Sequence, residues 1–264
     1  MYQIGVDIGG TNIKVGLVNE TMELVQTCSV RFPHDGARSV VKTIEEAVDF
    51  LLRQQAIARK DVESVGIVVP GSIDQKGERV IDAYNLGFHD VPLKALAQEA
   101  FGEIPVYLAN DANGAALAEL YAGAFRGCKT AVLFTLGTGL GGGIILNGKV
   151  LMGAHAAAGE VSGLVSNMAA METETFEMNK VETFSDAPLW AGAASATGLI
   201  REYARQKKLS LQGPLPTGEE IFAAYNAGEP EAQKALKIFA RRVAVGILSL
   251  QHVLDVEKVA IGGG

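Results

Sequence analysis

Short β-branched runs broken by glycine turns recur in both halves of this chain, and that alternation limits the folds open to it more than any other feature. YQIGVDI, GGTN, IKVGLV, NETM and ELVQTCSVRF succeed one another over residues 2–31, which predicts three antiparallel strands joined by tight turns. The second half opens alike, with TAVLFTL at 130–136, then GTGLGGG, then IILNGKVL. Self-similarity at half the chain length is what a duplicated two-lobed fold leaves behind, although two glycine-rich hairpins can also coincide by chance. Val40, Val41, Ile44, Ala47, Val48 and Leu51 recur at three- and four-residue steps, predicting a helix over 37–53. SVGIVVPG at 64–71 and residues 106–109 read as buried strands separated by an irregular stretch, and a helix follows from Ala112. Thr217–Ala227 and Glu231–Leu254 read as helices, Val259–Gly264 as a strand running into glycines, and 165–187 as a loop-rich insertion. Strands alternating with helices place the chain in the α/β class.

With 264 residues, 48% hydrophobic and 20% charged, the chain can bury a large core, and its length suits two lobes, here 1–122 and 123–264. The net charge of −7 argues against holding nucleic acid or an anionic membrane surface. Only Cys28 and Cys128 are present, far apart and without ligand-spaced partners, which disfavours a disulfide scaffold or a zinc knuckle and suits a reducing compartment. No apolar run approaches the roughly 18 residues of a membrane span. The expectation is a cytoplasmic protein.

VDIGGTN sits in a strand–strand turn. Gly9 and Gly10 remove side chains so that backbone amides can approach an anion, while Thr11, Asn12 and Lys14 add donors and charge. Asp7 is placed to orient a hydrated Mg²⁺ beside phosphates. The plain alternative is a hairpin that needs glycine for its backbone. LGTGLGGG and the terminal IGGG are further glycine turns leaving strands, and three are harder to assign to hairpin geometry alone. Asp111, in LANDANGAALAE, falls where a buried strand enters a helix. It is either a helix cap or a general base, since a carboxylate at the C-terminal end of a strand faces the ligand crevice in α/β folds. Asn110 can take the capping role.

DIGGTN, VPG at 69–71, NLGFHDVPL, NDANGAALAE, TLGTGLGGGI, GAHAAAGEVSG, ASATGL and the closing AIGGG resemble, in order and over nearly the whole chain, the ROK family of sugar kinases and repressors. The resemblance implies the two-lobed actin/hexokinase-like (ribonuclease H-like) fold, with ATP and a sugar in the cleft between lobes. By this resemblance Gly10, Thr11, Asn12 and Lys14 cradle phosphate. Thr138 and Gly139 contact phosphate from the other lobe, and Gly262 and Gly263 form the adenosine-side turn. Asp111 takes the proton of the sugar hydroxyl, Asn110 and Glu160 bind the sugar, and Gly71 and Asn85 line its pocket. A homodimer acting on a hexose, closest to the glucokinase branch, is implied. Repressors carry a helix-turn-helix ahead of a first strand that here begins at residue 2, so no DNA-binding segment is expected.

Three departures bear on function. Gly163 stands where the family has a His that binds zinc and sugar, and the cysteine-rich zinc motif that should follow is missing. Ala191 stands where a Glu usually precedes Ala-Ser-Ala-Thr. His155 and Trp190 are the nearby candidates to replace those sugar partners. Members usually continue past the IGGG turn with a strand and helix, so the natural product is expected to run further. The losses also raise a rival, a sugar sensor of the same fold without turnover. With no Cys after Cys128, a tetrahedral thiolate zinc site has no ligands there. Elemental analysis of the purified protein should find no stoichiometric zinc, and one zinc per chain would contradict this.

Overall fold

The structure, a computed structural model, describes residues 1–166 and 189–263. All but the first two residues of the expected insertion at 165–187 lie outside that description. The chain forms two compact units, Met1–Gly123 with Met152–Ala158, and Ala124–Leu151 with Gly159–Gly264.

In the first unit β1 (Tyr2–Ile8), β2 (Asn12–Asn19) and β3 (Leu24–Arg31) form antiparallel hairpins, and β4 (Val62–Val69) and β8 (Val106–Asn110) add in parallel, giving the order β3-β2-β1-β4-β8. Alternation puts Ile4, Val6, Ile8, Ile13, Val15 and Leu17 on one face, all fully buried or nearly so. α1 (Ala37–Gln54) connects β3 to β4 and returns the same apolar stripe that its sequence spacing indicates, with Val40, Ile44, Val48 and Leu51 buried. A parallel step needs such a crossover, and a helix that covers the sheet supplies it.

Residues 72–105 are regular, contrary to the sequence reading. β5 (Ser72–Ile73), β6 (Val80–Ala83) and β7 (Phe88–Val91) form a small antiparallel sheet, followed by α2 (Leu93–Phe101). The strands are too short for a period of two to show. α2 buries Leu93, Ala97 and Phe101, an i, i+4, i+8 stripe that helical periodicity does carry.

The second sheet has the order β11-β10-β9-β12, which repeats β3-β2-β1-β4. Its strands are β9 (Ala131–Leu136), β10 (Leu140–Leu146), β11 (Lys149–Val150) and β12 (Lys258–Gly262), with β12 parallel to β9. GTGLGGG is not one long turn, because β10 begins at Leu140. Gly142 is in the strand for close packing, since a Cβ there would lie 2.7 Å from the Gly159 carbonyl oxygen and 2.6 Å from the Val161 side chain.

Helices α4 (Trp190–Ala194), α5 (Ala196–Lys207), α6 (Gly218–Asn226) and α7 (Pro230–Leu254) complete this unit. α6 starts with a capping box, Thr217 accepting from the Glu220 N–H and Glu220 from the Thr217 N–H. Glu202 is buried, which raises its pKa, but hydrogen bonds from Arg205 and Gln206 and the charge of Arg242 outweigh that and hold it ionised. Trp190 is fully buried, edge-on to Phe134 with centroids 5.1 Å apart, and its Nε1–H donates to the Arg242 carbonyl at 2.7 Å. It is a core residue and cannot replace a missing sugar partner.

Gly246 lets α7 approach that indole, since a Cβ would fall 2.1 Å from the ring. Gly246→Ala should therefore destabilise the unit by about 1–3 kcal/mol, against a helix-propensity gain of about 1 kcal/mol. Thermal unfolding checks this, and an unchanged or raised Tm would contradict it.

Candidate active site

Strands β1, β4 and β8 run parallel, so their C-terminal ends share one sheet edge. Gly9, Gly71 and Asp111 follow from those ends, the edge at which open α/β sheets bind ligands. Asn110 is the N-cap of α3 (Asp111–Tyr121), its Oδ1 accepting the Asn113 N–H at 3.1 Å and its Nδ2 donating to the Gly71 carbonyl at 3.0 Å. The Asn110 side chain also hydrogen-bonds the Asp111 carboxylate. Gly71 has φ +106°, and a Cβ on it would lie 2.1 Å from the Asp82 carbonyl oxygen, so no other residue fits. Asn85 is exposed in a 3-10 turn, Tyr84–Leu86.

With Asn110 as the cap, the Asp111 carboxylate accepts the Ala112 N–H at 2.8 Å. The residue as a whole is exposed, yet partial desolvation of its carboxylate pushes the pKa up, and the Asp7 charge pushes the same way against hydrogen bonds that lower it. The result is a carboxylate more basic than an ordinary surface aspartate.

The turn between β1 and β2 is closed by the Gly9 N–H donating to the Asn12 carbonyl at 2.9 Å. That amide is spent on the turn, leaving Gly10 and Thr11 at its exposed tip, where a Cβ on Gly10 would meet no atom within 4 Å. Lys14 is exposed and faces Asp7 across the β1–β2 pair, on one side of the sheet. This tip, open and flanked by an ammonium group, fits an anionic phosphate. Asp7 and Asp111 suit a hydrated Mg²⁺ by their oxygen donors, although no cluster of three or more His, Cys, Asp or Glu side chains is poised for a metal among the described residues.

His155 is exposed in Met152–Ala158, the segment that belongs to the first unit. Gln75 Nε2 donates to the carbonyls of Gly153, at 3.0 Å, and Ala154, and Asn113 Nδ2 meets Met152 Sδ at 3.9 Å. The sequence reading missed Gln75, which stands in the stretch read as irregular, and did not single out Asn113 within its NDAN motif.

In the second unit the Gly137 N–H donates to the Gly139 carbonyl at 3.0 Å, and Thr138 and Gly139 are exposed. β12 brings Gly262 beside Thr135, and Gly263, at φ +108°, packs so tightly that a Cβ would lie 2.2 Å from the Leu136 carbonyl oxygen. Thr138, Gly139, Gly262 and Gly263 thus gather at one end of this sheet. Glu160 is exposed in the same unit, ahead of the 3-10 turn Val161–Gly163.

A family model described as the ROK family matches residues 3–264. The chain belongs to the ROK family. A glucokinase of Halalkalibacterium halodurans is 32% identical to this ROK protein, covering 100% of this chain and 80% of its own. A β-glucoside kinase of Listeria innocua is 29% identical over 98% of this chain and 81% of its own. The solved structure of a ROK family glucokinase from Streptomyces griseus, in complex with glucose and AMPPNP, has a TM-score of 0.77 and 30% identity, covering 100% of this chain and 83% of that one. The ROK protein has the actin/hexokinase-like fold.

Because the folded state raises the Asp111 pKa, stability falls as pH rises from the unfolded carboxyl pKa, near 3.9, through the folded value. Asn at this position keeps an oxygen for the Ala112 N–H and carries no charge. Asp111→Asn should therefore have a higher Tm than wild type at pH 7, with the difference vanishing below about pH 4. An equal or lower Tm at pH 7 would contradict the upward shift.

Proposed function

We propose that this ROK protein is an ATP-dependent kinase that phosphorylates a hydroxyl of a hexose or hexose derivative. The observation that carries the reading is Asp111, at the C-terminal end of a parallel strand with its pKa raised and the helix cap supplied by its neighbour. A sugar hydroxyl is too weakly acidic to ionise at pH 7. Asp111 accepts its proton as the bond to phosphorus forms, and Asn110 and Glu160 hold the ring so that the hydroxyl is aligned. The exposed amides of Gly10 and Thr11, with the Lys14 ammonium, neutralise phosphoryl oxygens, and Thr138 and Gly139 hold nucleotide phosphate. When bound, Mg²⁺ supplies further charge neutralisation at the phosphates. Alignment does most of the work, since a bound, oriented hydroxyl reacts as if at very high local concentration.

The names of the relatives support this reading: a glucokinase at 32% identity and a solved glucokinase holding glucose and AMPPNP. Retention of Asp111, Thr11 and Thr138 favours turnover over a sensor of the same fold. We read the protein further as a cytoplasmic homodimer, the commonest oligomeric state; sedimentation equilibrium tests the dimer. Asp111→Ala should lower kcat by about 10²–10⁴-fold with little change in ATP affinity. Near-normal turnover would reduce Asp111 to an ordinary helix-start residue.

The sugar is read from what is missing. Gly163 and Ala191 offer no polar side chain, and a Cβ at the exposed Gly163 meets nothing within 4 Å. Each charge-assisted hydrogen bond lost is worth roughly 1.5–3 kcal/mol, so two exceed about a hundredfold in affinity. The same openness accommodates a substituent glucose lacks, in keeping with the β-glucoside kinase relative. NLGFHDVPL resembles the glucokinase branch, yet plain glucose should bind weakly and a bulkier or differently configured sugar better. Coupled ADP-release assays with glucose, mannose, N-acetylmannosamine, fructose, allose and a β-glucoside decide this. A glucose KM well below about 1 mM, within the ordinary range for good substrates, with the others inert, would overturn the preference.

A further inference from the structure

The turn at Gly137–Gly139 is held from behind by the first turn of α5. The Ala196 N–H donates to the Gly137 carbonyl at 2.9 Å, and the Thr197 hydroxyl donates to the Thr138 carbonyl at 2.7 Å. Two successive carbonyls are thus drawn to α5. In a planar trans peptide the carbonyl and the following N–H point in opposite directions. Drawing the Gly137 carbonyl towards α5 turns the Thr138 N–H away from it, and drawing the Thr138 carbonyl turns the Gly139 N–H away likewise. Both N–H groups then point away from α5, and a Cβ on Gly137 or Gly139 would meet no atom within 4 Å.

The start of α5 is itself capped and closely packed. Ser195, almost fully buried, caps α5 by accepting the Gly198 N–H at 3.1 Å. Gly198 sits so close that a Cβ would lie 2.8 Å from the Gly192 carbonyl oxygen, which fixes where α5 begins. Of the two contacts to the turn, that of Ala196 is backbone and survives substitution. The hydroxyl of Thr197 is the removable one.

We infer that Thr197 is a positioning residue, which orients the Thr138–Gly139 peptide so that the Gly139 N–H meets a phosphate oxygen of a nucleoside polyphosphate. The inference rests on the nucleotide role proposed above for Thr138 and Gly139. Thr197 touches no substrate in this account and acts through the peptide it holds.

Thr197→Val keeps the shape and removes the donor, and Thr197→Ser restores it. Titration calorimetry with AMPPNP should show Thr197→Val weakening nucleotide binding about three- to tenfold, the net worth of one neutral hydrogen bond. KM for ATP should rise by a similar factor with kcat less affected, hexose affinity should stay unchanged, and Thr197→Ser should recover the wild-type values. In ¹⁵N-labelled wild-type protein the Gly139 amide signal should move on adding AMPPNP. If Thr197→Val does not fold, that signal decides, since its movement supports the aimed amide and its constancy overturns it. Wild-type protein that binds no AMPPNP would overturn the nucleotide role itself. Normal binding by wild type and Thr197→Val alike, or an equal loss of hexose affinity in Thr197→Val, would overturn only the role given to Thr197.

Discussion

Parallel pairing of β4 with β1 and of β8 with β4 is the constraint on which the rest of the first unit depends. Three strands entering the sheet in one direction must leave it at one edge, and whatever follows each strand is gathered there without any further interaction. Here those followers are a glycine turn, the Pro70-Gly71 corner and the Asn110-Asp111 pair. The buried face of Ile4, Val6, Ile8, Val65 and Ile67, under α1, fixes the register, and a slip of one residue would put each of those side chains on the wrong face. The hydrogen bond from Asn110 to the Gly71 carbonyl then ties two of the three strand ends together.

That arrangement leaves one carboxylate underused by the fold. Asn110 caps α3, so Asp111 is not needed for the cap, and its raised pKa shows that its charge is held at a cost to stability. A group that destabilises where it stands, at an edge suited to ligands, is what a reactive site demands of a base. The second unit repeats the order of the first four strands, so the turn after β9 corresponds to the glycine turn after β1, and it is clamped by the start of α5.

Much of this was legible from the residues alone. The hairpins, α1 and the Asp111 helix start all follow from periodicity and turn residues, because those signals lie within single elements. The small sheet at β5–β7 was not, since strands of two to four residues carry too few positions for a pattern. The exclusion of Trp190 from sugar binding depended on Gly246, distant in sequence, making room for the indole. Gln75 was illegible for the same reason, as its partners at Gly153 and Ala154 are carbonyls and leave no mark in the sequence. Long-range packing of this kind is where local pattern reading ends.

The central claim is that Asp111 meets the reacting hydroxyl of a bound sugar. The most direct test is a crystal structure of the chain with the preferred hexose and AMPPNP. A sugar hydroxyl oxygen within about 2.6–3.2 Å of an Asp111 carboxylate oxygen, and turned towards the γ-phosphate, is the predicted result. A sugar bound elsewhere, or an Asp111 carboxylate that makes no contact with it, would contradict the account.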